Sequence, residues 1–336
     1  MQDVIIVGAG PAGCAAANIL AGSGKAVTVI ERRRLPRNKP CSGILIGKTL
    51  ELLREHFGEV PRAALCTPFE NRGMVFFDDD GKKFRFEQKG LNVWRSPFDF
   101  WLWEQAAARG AKLIEGRNVT AFTQGDGFAE VAFADGTKLR ARFVIDCSGA
   151  AGGLRGRSEG GRDFVYTYQV FYRGNSCLDP HYFYAFTDPR FSDYDAWYNV
   201  KDGMPVAGVA VRNPQNAVRF HQAFFEHLHT EFGFSVTRAV REERWVMPHI
   251  RPKCSVHCGE GNILCAGEAA GFLNPMGEGI SSALASGMLA ASAVVNRKQD
   301  ALSAYTASVR ELQEYMARQW KLLSFLSERF RGMRGE

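Results

Sequence analysis

No stretch of the 336-residue sequence reaches the roughly 18 uninterrupted apolar residues that span a bilayer, which argues against a membrane-crossing helix. A signal-peptide pattern is missing as well: the N-terminus enters a strand-like segment directly, so a cytoplasmic protein is expected. Cysteine is scarce. The eight cysteines, Cys14, Cys41, Cys66, Cys147, Cys177, Cys254, Cys258 and Cys265, are too dispersed for a disulfide scaffold and sit mostly in apolar surroundings, so reduced thiols are expected. Cys254 and Cys258, with His249 and His257 nearby, have no second pair at zinc-ligand spacing, and no metal is expected. There is no internal repeat and no low-complexity tract. What remains is 46% hydrophobic and 23% charged, a balance that buries a large core. The net charge of +6 is scattered apart from one run at Arg32, Arg33, Arg34, Arg37 and Lys39, too short for a nucleic-acid surface.

Periodicity divides the chain. Residues 3–7 form a short apolar run, residues 11–21 are small and helix-compatible, and residues 27–30 are β-branched, which together predict a parallel βαβ crossover. Helices are predicted over residues 47–56 and 98–109, with short strands at 74–77 and 84–87 between them. Residues 112–115, 119–123, 129–133 and 137–141 read as strands, the last three as a meander, and 143–146 as a buried parallel strand. Gly149, Gly152, Gly153 and Gly156 then mark a boundary. Residues 164–210 alternate and are rich in Tyr, Phe and Trp, predicting a separate antiparallel sheet followed by a helix over 216–232. A short buried strand at 262–266, a small-residue helix at 279–295 and an amphipathic helix or helix pair at 302–330 complete the chain.

Gly8-Ala9-Gly10-Pro11-Ala12-Gly13 lies between the first strand and the first helix, and Glu31 ends the second strand. Gly8 permits the tight turn, Gly10 lets backbone approach a pyrophosphate, and Gly13 lets the helix pack on the strand. The helix N-terminus favours the phosphates, and Glu31 can accept from ribose hydroxyls. These features specify a dinucleotide without separating FAD from NAD. A second segment, Gly267 to Ile280, follows a strand and opens a helix. Its small residues Gly267, Gly277 and Gly279 let a large ligand lie against backbone, as a flavin ring and ribityl chain require. The two motifs together point to FAD.

The chain resembles the FAD-dependent geranylgeranyl reductase family, within the flavoprotein group related to para-hydroxybenzoate hydroxylase. Arg95, Phe98, Asp99 and Leu102 resemble the group's R-x-x-F-D-x-x-L stretch, whose arginine lies near the cofactor. The segment with Gly267, Glu268, Pro275, Gly277, Gly279 and Ile280 resembles its G-D-A-A-G-x-x-x-P-x-x-G-x-G-I, with Glu268 at the aspartate position. Lys39-Pro40-Cys41-Ser42-Gly43 resembles the reductases' K-x-C-G-G, which implies that Cys41 lies close to flavin and substrate. Residues 195–201 and Gly208 resemble the reductases' Y-x-W-x-F-P-K-x-x-x-x-x-x-G; Trp197, Lys201 and Gly208 match, and Asp195 stands where the tyrosine would be.

The resulting expectation is an α/β fold with a Rossmann-like FAD-binding lobe of the glutathione-reductase type (residues 1–160 and 250–300), an inserted antiparallel substrate sheet (161–249) and C-terminal helices (301–336). Cofactor contacts are expected from Gly8, Gly10, Pro11, Ala12, Gly13, Glu31, Arg32, Arg95, Val119 and the second glycine segment. Tyr168, Tyr184, Trp197 and Lys201 are expected at the substrate, with about half of the aromatic side chains on the cavity side. The expected reaction is reduction of a carbon–carbon double bond in an apolar, isoprenoid-like substrate, with Cys41 or water as proton source. NADPH or a reduced redox protein would visit transiently as electron donor. The basic, apolar stretch at 302–330 suits either a core-covering helix or contact with a membrane surface. The rivals are an NAD(P)H-dependent monooxygenase acting on an aromatic substrate and a flavin-binding sensor without turnover. A halogenase would share the fold, but its W-x-W-x-I-P signature is not found.

Overall fold

The computed structural model describes residues 2–151, 164–249, 256–296 and 300–333. β1 (Gln2–Val7) runs through the glycine turn into α1 (Pro11–Gly22), which returns to β2 (Val27–Glu31). The strands are parallel, Val4 opposite Val27, and Val4, Ile5, Ile6 and Val29 are fully buried because this sheet is covered on both faces. Then come β3 (Ile44–Leu45), α2 (Gly47–His56), β4 (Leu65–Phe77), β5 (Lys83–Val93) and α3 (Arg95–Ala108). β6 (Lys112–Glu115), β7 (Val119–Gln124), β8 (Ala129–Phe133) and β9 (Lys138–Asp146) follow. β9 has two partners: residues 138–141 pair antiparallel with β8, and residues 141–146 run parallel to β1.

The aromatic half of the chain builds β10 (Phe164–Asn175), β11 (Tyr182–Phe186), β12 (Ala196–Lys201), β13 (Met204–Val211), α4 (Ala217–Phe232) and β14 (Ser235–Pro248). β15 (Gly259–Glu260) and β16 (Ile263–Cys265) return to the first sheet, before α5 (Ile280–Asn296), α6 (Ala301–Ser308), α7 (Arg310–Leu326) and α8 (Glu328–Met333). The first sheet has the order β15-β16-β9-β1-β2-β6 with β7 and β8 beside β9; the second has the order β14-β10-β13-β12-β11-β4-β5-β3. The terminal segment is three helices rather than one or two.

One expectation is corrected here. Residues 1–160 do not all belong to the dinucleotide-type lobe, because β3, β4 and β5 pair in the second sheet, with β4 parallel to β11 and Gly73 opposite Tyr182. The half-exposed β4 and β5 suit a sheet with open surface better than a doubly covered parallel one. The expected boundaries near 160 and 250, the glycines Gly152, Gly153 and Gly156, and Cys254 lie outside the described residues.

The two faces of the second sheet have different work. Tyr168, Tyr172, Tyr184, Phe186 and Tyr198 pack with Phe220, Phe224 and Leu228 of α4. On the opposite face, Val165, Trp197 and Ala210 meet Trp320, Leu323 and Phe330 of α7 and α8. In the first lobe α5 lies so close to α1 that a Cβ on Gly287 would meet the Ala12 carbonyl oxygen at 2.2 Å, which explains its small-residue composition. Among the described residues, no helix is long and apolar enough to cross a membrane.

Candidate active site

The glycine turn assigns a separate task to each glycine. Gly8 has φ +105°, and a Cβ there would sit 2.4 Å from the Cys147 carbonyl oxygen; a Cβ on Gly13 would sit 1.9 Å from the Gly8 carbonyl oxygen. Both are fixed by close backbone packing. Gly10 differs, because the nearest atom to its Cβ position is the Arg37 guanidinium at 3.6 Å, so its backbone opens onto a groove. Glu31 lies at the groove's edge, accepting from the Ala9 and Arg33 amides at 3.0 Å and pairing with Arg37 at 3.2 Å.

Below the turn lies a buried charge network. Arg95 grips Asp99 through two bonds of 2.8 and 2.9 Å, Arg37 reaches the same carboxylate at 3.1 Å, and Arg37 also donates to the Ala9 carbonyl at 3.1 Å. Burial pushes the Asp99 carboxyl upward, but Arg95 and Arg37 overcome it and hold its pKa below the ordinary value. Stability contributed by this group is therefore present above the unfolded carboxylate pKa and is lost as pH falls through the lower folded value. Asp99→Asn should flatten the acid limb of a pH-dependent unfolding curve below about pH 4.

The groove is closed on its far side by the second glycine segment. Gly8, Gly10, Glu31, Arg37, Ser148, Trp245, Gly267 and Glu268 line one continuous cavity. Lys39 spans it to Glu268 at 3.1 Å, yet the other Glu268 carboxylate oxygen is buried with no partner. An acceptor in that position lacks the hydroxyl donor that a ribityl chain would bring. A diphosphate near Gly10 would meet helix N–H groups and the Arg37 cation, and a ribose would meet Glu31. The donor set therefore fits FAD.

Beyond Lys39 the groove continues into a cavity lined by Cys41, Arg95, Gln169, Phe183, Asp195, Trp197, Trp245, Met276 and Gly277. Cys41 sits at its inner end, where its sulfur accepts from the Gly43 amide at 3.3 Å and is reached by the Arg95 guanidinium. A further cavity of about 200 Å³ leads away from Cys41 past Ile44, Ile46, Met74, Phe86, Phe183 and Met276 to Tyr315 and Gln319 on α7.

Comparison with known proteins agrees with this geometry. The model of the FAD binding domain family matches residues 1–319. The chain belongs to the FAD binding domain family. Protein CbrA of Escherichia coli O9:H4 (strain HS) is 25% identical over 321 residues, covering 93% of this chain and 86% of its own. Protein FixC of Escherichia coli O157:H7 is 37% identical over 155 residues, 44% of this chain, and the match spans only 36% of FixC's length. Among solved structures, a geranylgeranyl bacteriochlorophyll reductase-like protein from Thermoplasma acidophilum superimposes with a TM-score of 0.81 at 19% identity, covering 99% of this chain and 90% of that one. The flavin-dependent halogenase CmlS gives 0.76 at 21% identity, covering 99% and 67%. At these identities the structures share the fold.

In this FAD-binding protein the predicted residues divide clearly. Gly8, Gly10, Pro11, Ala12, Glu31, Arg32, Arg95, Gly267 and Glu268 line the cofactor groove, and Gly277, Gly279 and Ile280 line the cavities beyond it. Gly13 acts through packing, Val119 pairs with Phe133 away from these cavities, and Pro275 lines a small pocket under α7 and α8. Tyr168 and Tyr184 are placed on the face that α4 covers, so neither lines the cavities that hold Cys41. Nor are half of the sheet's aromatic side chains there, because the alternating register gives most of them to α4; of the three that line this cavity, Phe183, Trp197 and Trp245, Trp197 alone was expected. Sequence reasoning also missed Trp245, which alternation alone cannot assign to a face, and gave Arg37 no defined partner.

Lys201 is a positioning residue. It is buried on β12, donates to the Ser42 carbonyl at 2.7 Å and the Val93 carbonyl at 2.6 Å, and lies over the Trp94 ring. It straps the Cys41 loop to the second sheet. Lys201→Met should leave two carbonyls without a donor and cost about 2–4 kcal/mol, read as a lower denaturation midpoint with unchanged m-value.

Proposed function

We propose that the protein reduces a carbon–carbon double bond of an elongated apolar substrate of isoprenoid type, with NADPH or a reduced redox protein as transient electron donor. The observation that supports this reading is the position of Cys41, which lines both the cavity against Gly277 and the apolar cavity running out to α7. When bound and reduced, FAD supplies a hydride. The chain supplies the rest. Ile44, Ile46, Met74 and Phe86 hold an apolar chain out of water, and the small residues Gly277 and Gly279 leave space where substrate and cofactor meet. Cys41 gives a proton to the second carbon, and Arg95 offsets the negative charge left on the sulfur. Solvent returns the proton.

The test is anaerobic mixing of dithionite-reduced holoenzyme with an unsaturated prenyl compound. The reading expects the flavin absorbance to return and the product to gain two hydrogens. A product that forms only with oxygen and carries a new hydroxyl would replace the reading with that of a monooxygenase.

A further inference from the structure

Asp195 is an acid in this cavity whose presence neither the cofactor nor the apolar substrate explains. It immediately precedes β12, and strand alternation puts it on the same face as Trp197 and Lys201. It lines the cavity that also holds Cys41, and a smaller pocket behind it. Among the described residues its carboxyl has no hydrogen-bond partner and no cation within ion-pair distance. The cation that acts on it, Arg329 of α8, gives its two terminal nitrogens to the carbonyls of Thr187, Ser192 and Tyr194, and its Nε makes no hydrogen bond. The other charged or titratable groups around the two spaces are Lys39, Cys41, Arg95, Tyr194, Glu268 and His249.

A carboxyl so placed holds its proton to higher pH than an ordinary aspartate does. Burial pushes its pKa up to about 7, with Arg329 offsetting only part of the shift. The cost to the fold follows from the sign: the native state holds this proton where the unfolded chain has lost it, so stability falls as pH rises between the unfolded carboxylate value and about 7. An unpaired acid that weakens the fold and opens into an active-site cavity is of the kind kept for chemistry.

We propose that Asp195 is a catalytic hydrogen-bond donor to a substrate oxygen, and that the substrate is an α,β-unsaturated carbonyl compound with an apolar tail. This deepens the reductase reading and rests on it. Hydride addition at the β carbon moves the double-bond electron pair toward the carbonyl, forming a carbon–hydrogen bond and leaving an enolate. The Asp195 O–H donates to that developing oxyanion, Cys41 gives its proton to the α carbon, and the carbonyl re-forms. The hydride, which carries both electrons, would come from reduced FAD, restored by the nicotinamide or redox-protein donor; the proton comes ultimately from water. A donor aimed at a developing oxyanion acts where charge appears, which an apolar wall cannot do.

The experiment compares anaerobic reoxidation of reduced holoenzyme by geranial and by geraniol, which share a carbon skeleton and differ in the carbonyl. Geranial should be the faster oxidant, with a rate that falls as pH rises through about 7. Asp195→Leu should slow geranial about 10²-fold, while Asp195→Asn, which keeps an N–H donor, should recover part of the rate and lose the pH dependence. An Asp195→Leu variant as fast as wild type, or an Asp195→Asn variant with the wild-type pH profile, overturns the proposal. So does a wild type that accepts geraniol and not geranial, which leaves the reductase reading standing. Silence toward both probes overturns the two together.

Discussion

Cys41→Ala should retain bound FAD with an unchanged absorption spectrum and lose about 10²–10⁴-fold in the rate at which substrate reoxidises the reduced enzyme. The glycine turn, Glu31, Arg37 and Gly267 line the cofactor groove without touching the Cys41 sulfur, and Arg95, which reaches it, keeps both bonds to Asp99, so binding is spared. On the proposed reading, what is removed is a proton donor where the two cavities share Cys41. The measurement is stopped-flow absorbance under anaerobic conditions. Cys41→Ser provides a control, because it keeps a hydroxyl proton at nearly the same position and should fall between the two. Wild-type rates in Cys41→Ala would assign the proton to an ordered water and leave the cysteine as packing.

The second large effect is on stability. Arg95→Leu should cost about 3–5 kcal/mol, since it leaves the fully buried Asp99 carboxylate with only Arg37, at 3.1 Å. The double variant Arg95→Leu/Asp99→Leu should recover most of that loss, because replacing a buried pair by apolar groups of similar volume is commonly close to neutral. Urea unfolding of the two single variants and the double variant measures the coupling. If the double variant is as unstable as Arg95→Leu alone, the pair is held by packing rather than by charge. FAD affinity gives a separate readout: Arg95 lines the cofactor groove, so the double variant should fold yet bind FAD weakly.

How much of this was legible in the sequence depends on the range of the interaction. The roles of Gly8, Gly10 and Gly13 could be read from six consecutive residues, because a turn between strand and helix is decided locally. The second glycine segment was legible for the same reason. The bond between Arg37 and Asp99 joins positions 62 apart, and no local pattern marks it. Strand alternation in β10 and β11 revealed that two faces exist, but not that the amphipathic α4 would claim the face bearing Tyr168 and Tyr184. The course of β4 and β5 was missed similarly: as strands they were plain, but only the parallel pairing with β11 decides which sheet they join. Asp195 drew notice only as a departure from a signature. Its meaning came from the burial and the missing partner, which are properties of the fold.

The most direct test of the central claim, that this is an FAD-dependent reductase, is the response of the purified protein to NADPH and then to air. The protein as isolated, or after FAD is added, should show flavin absorption bands that bleach when NADPH or a coupled redox protein is supplied without oxygen. On readmission of air, with an unsaturated substrate present, the account predicts a slow return and a product that gains two hydrogens and no oxygen. Rapid return with a hydroxylated product would contradict the reductase, and failure to take up FAD at all would contradict the site on which the whole account is built.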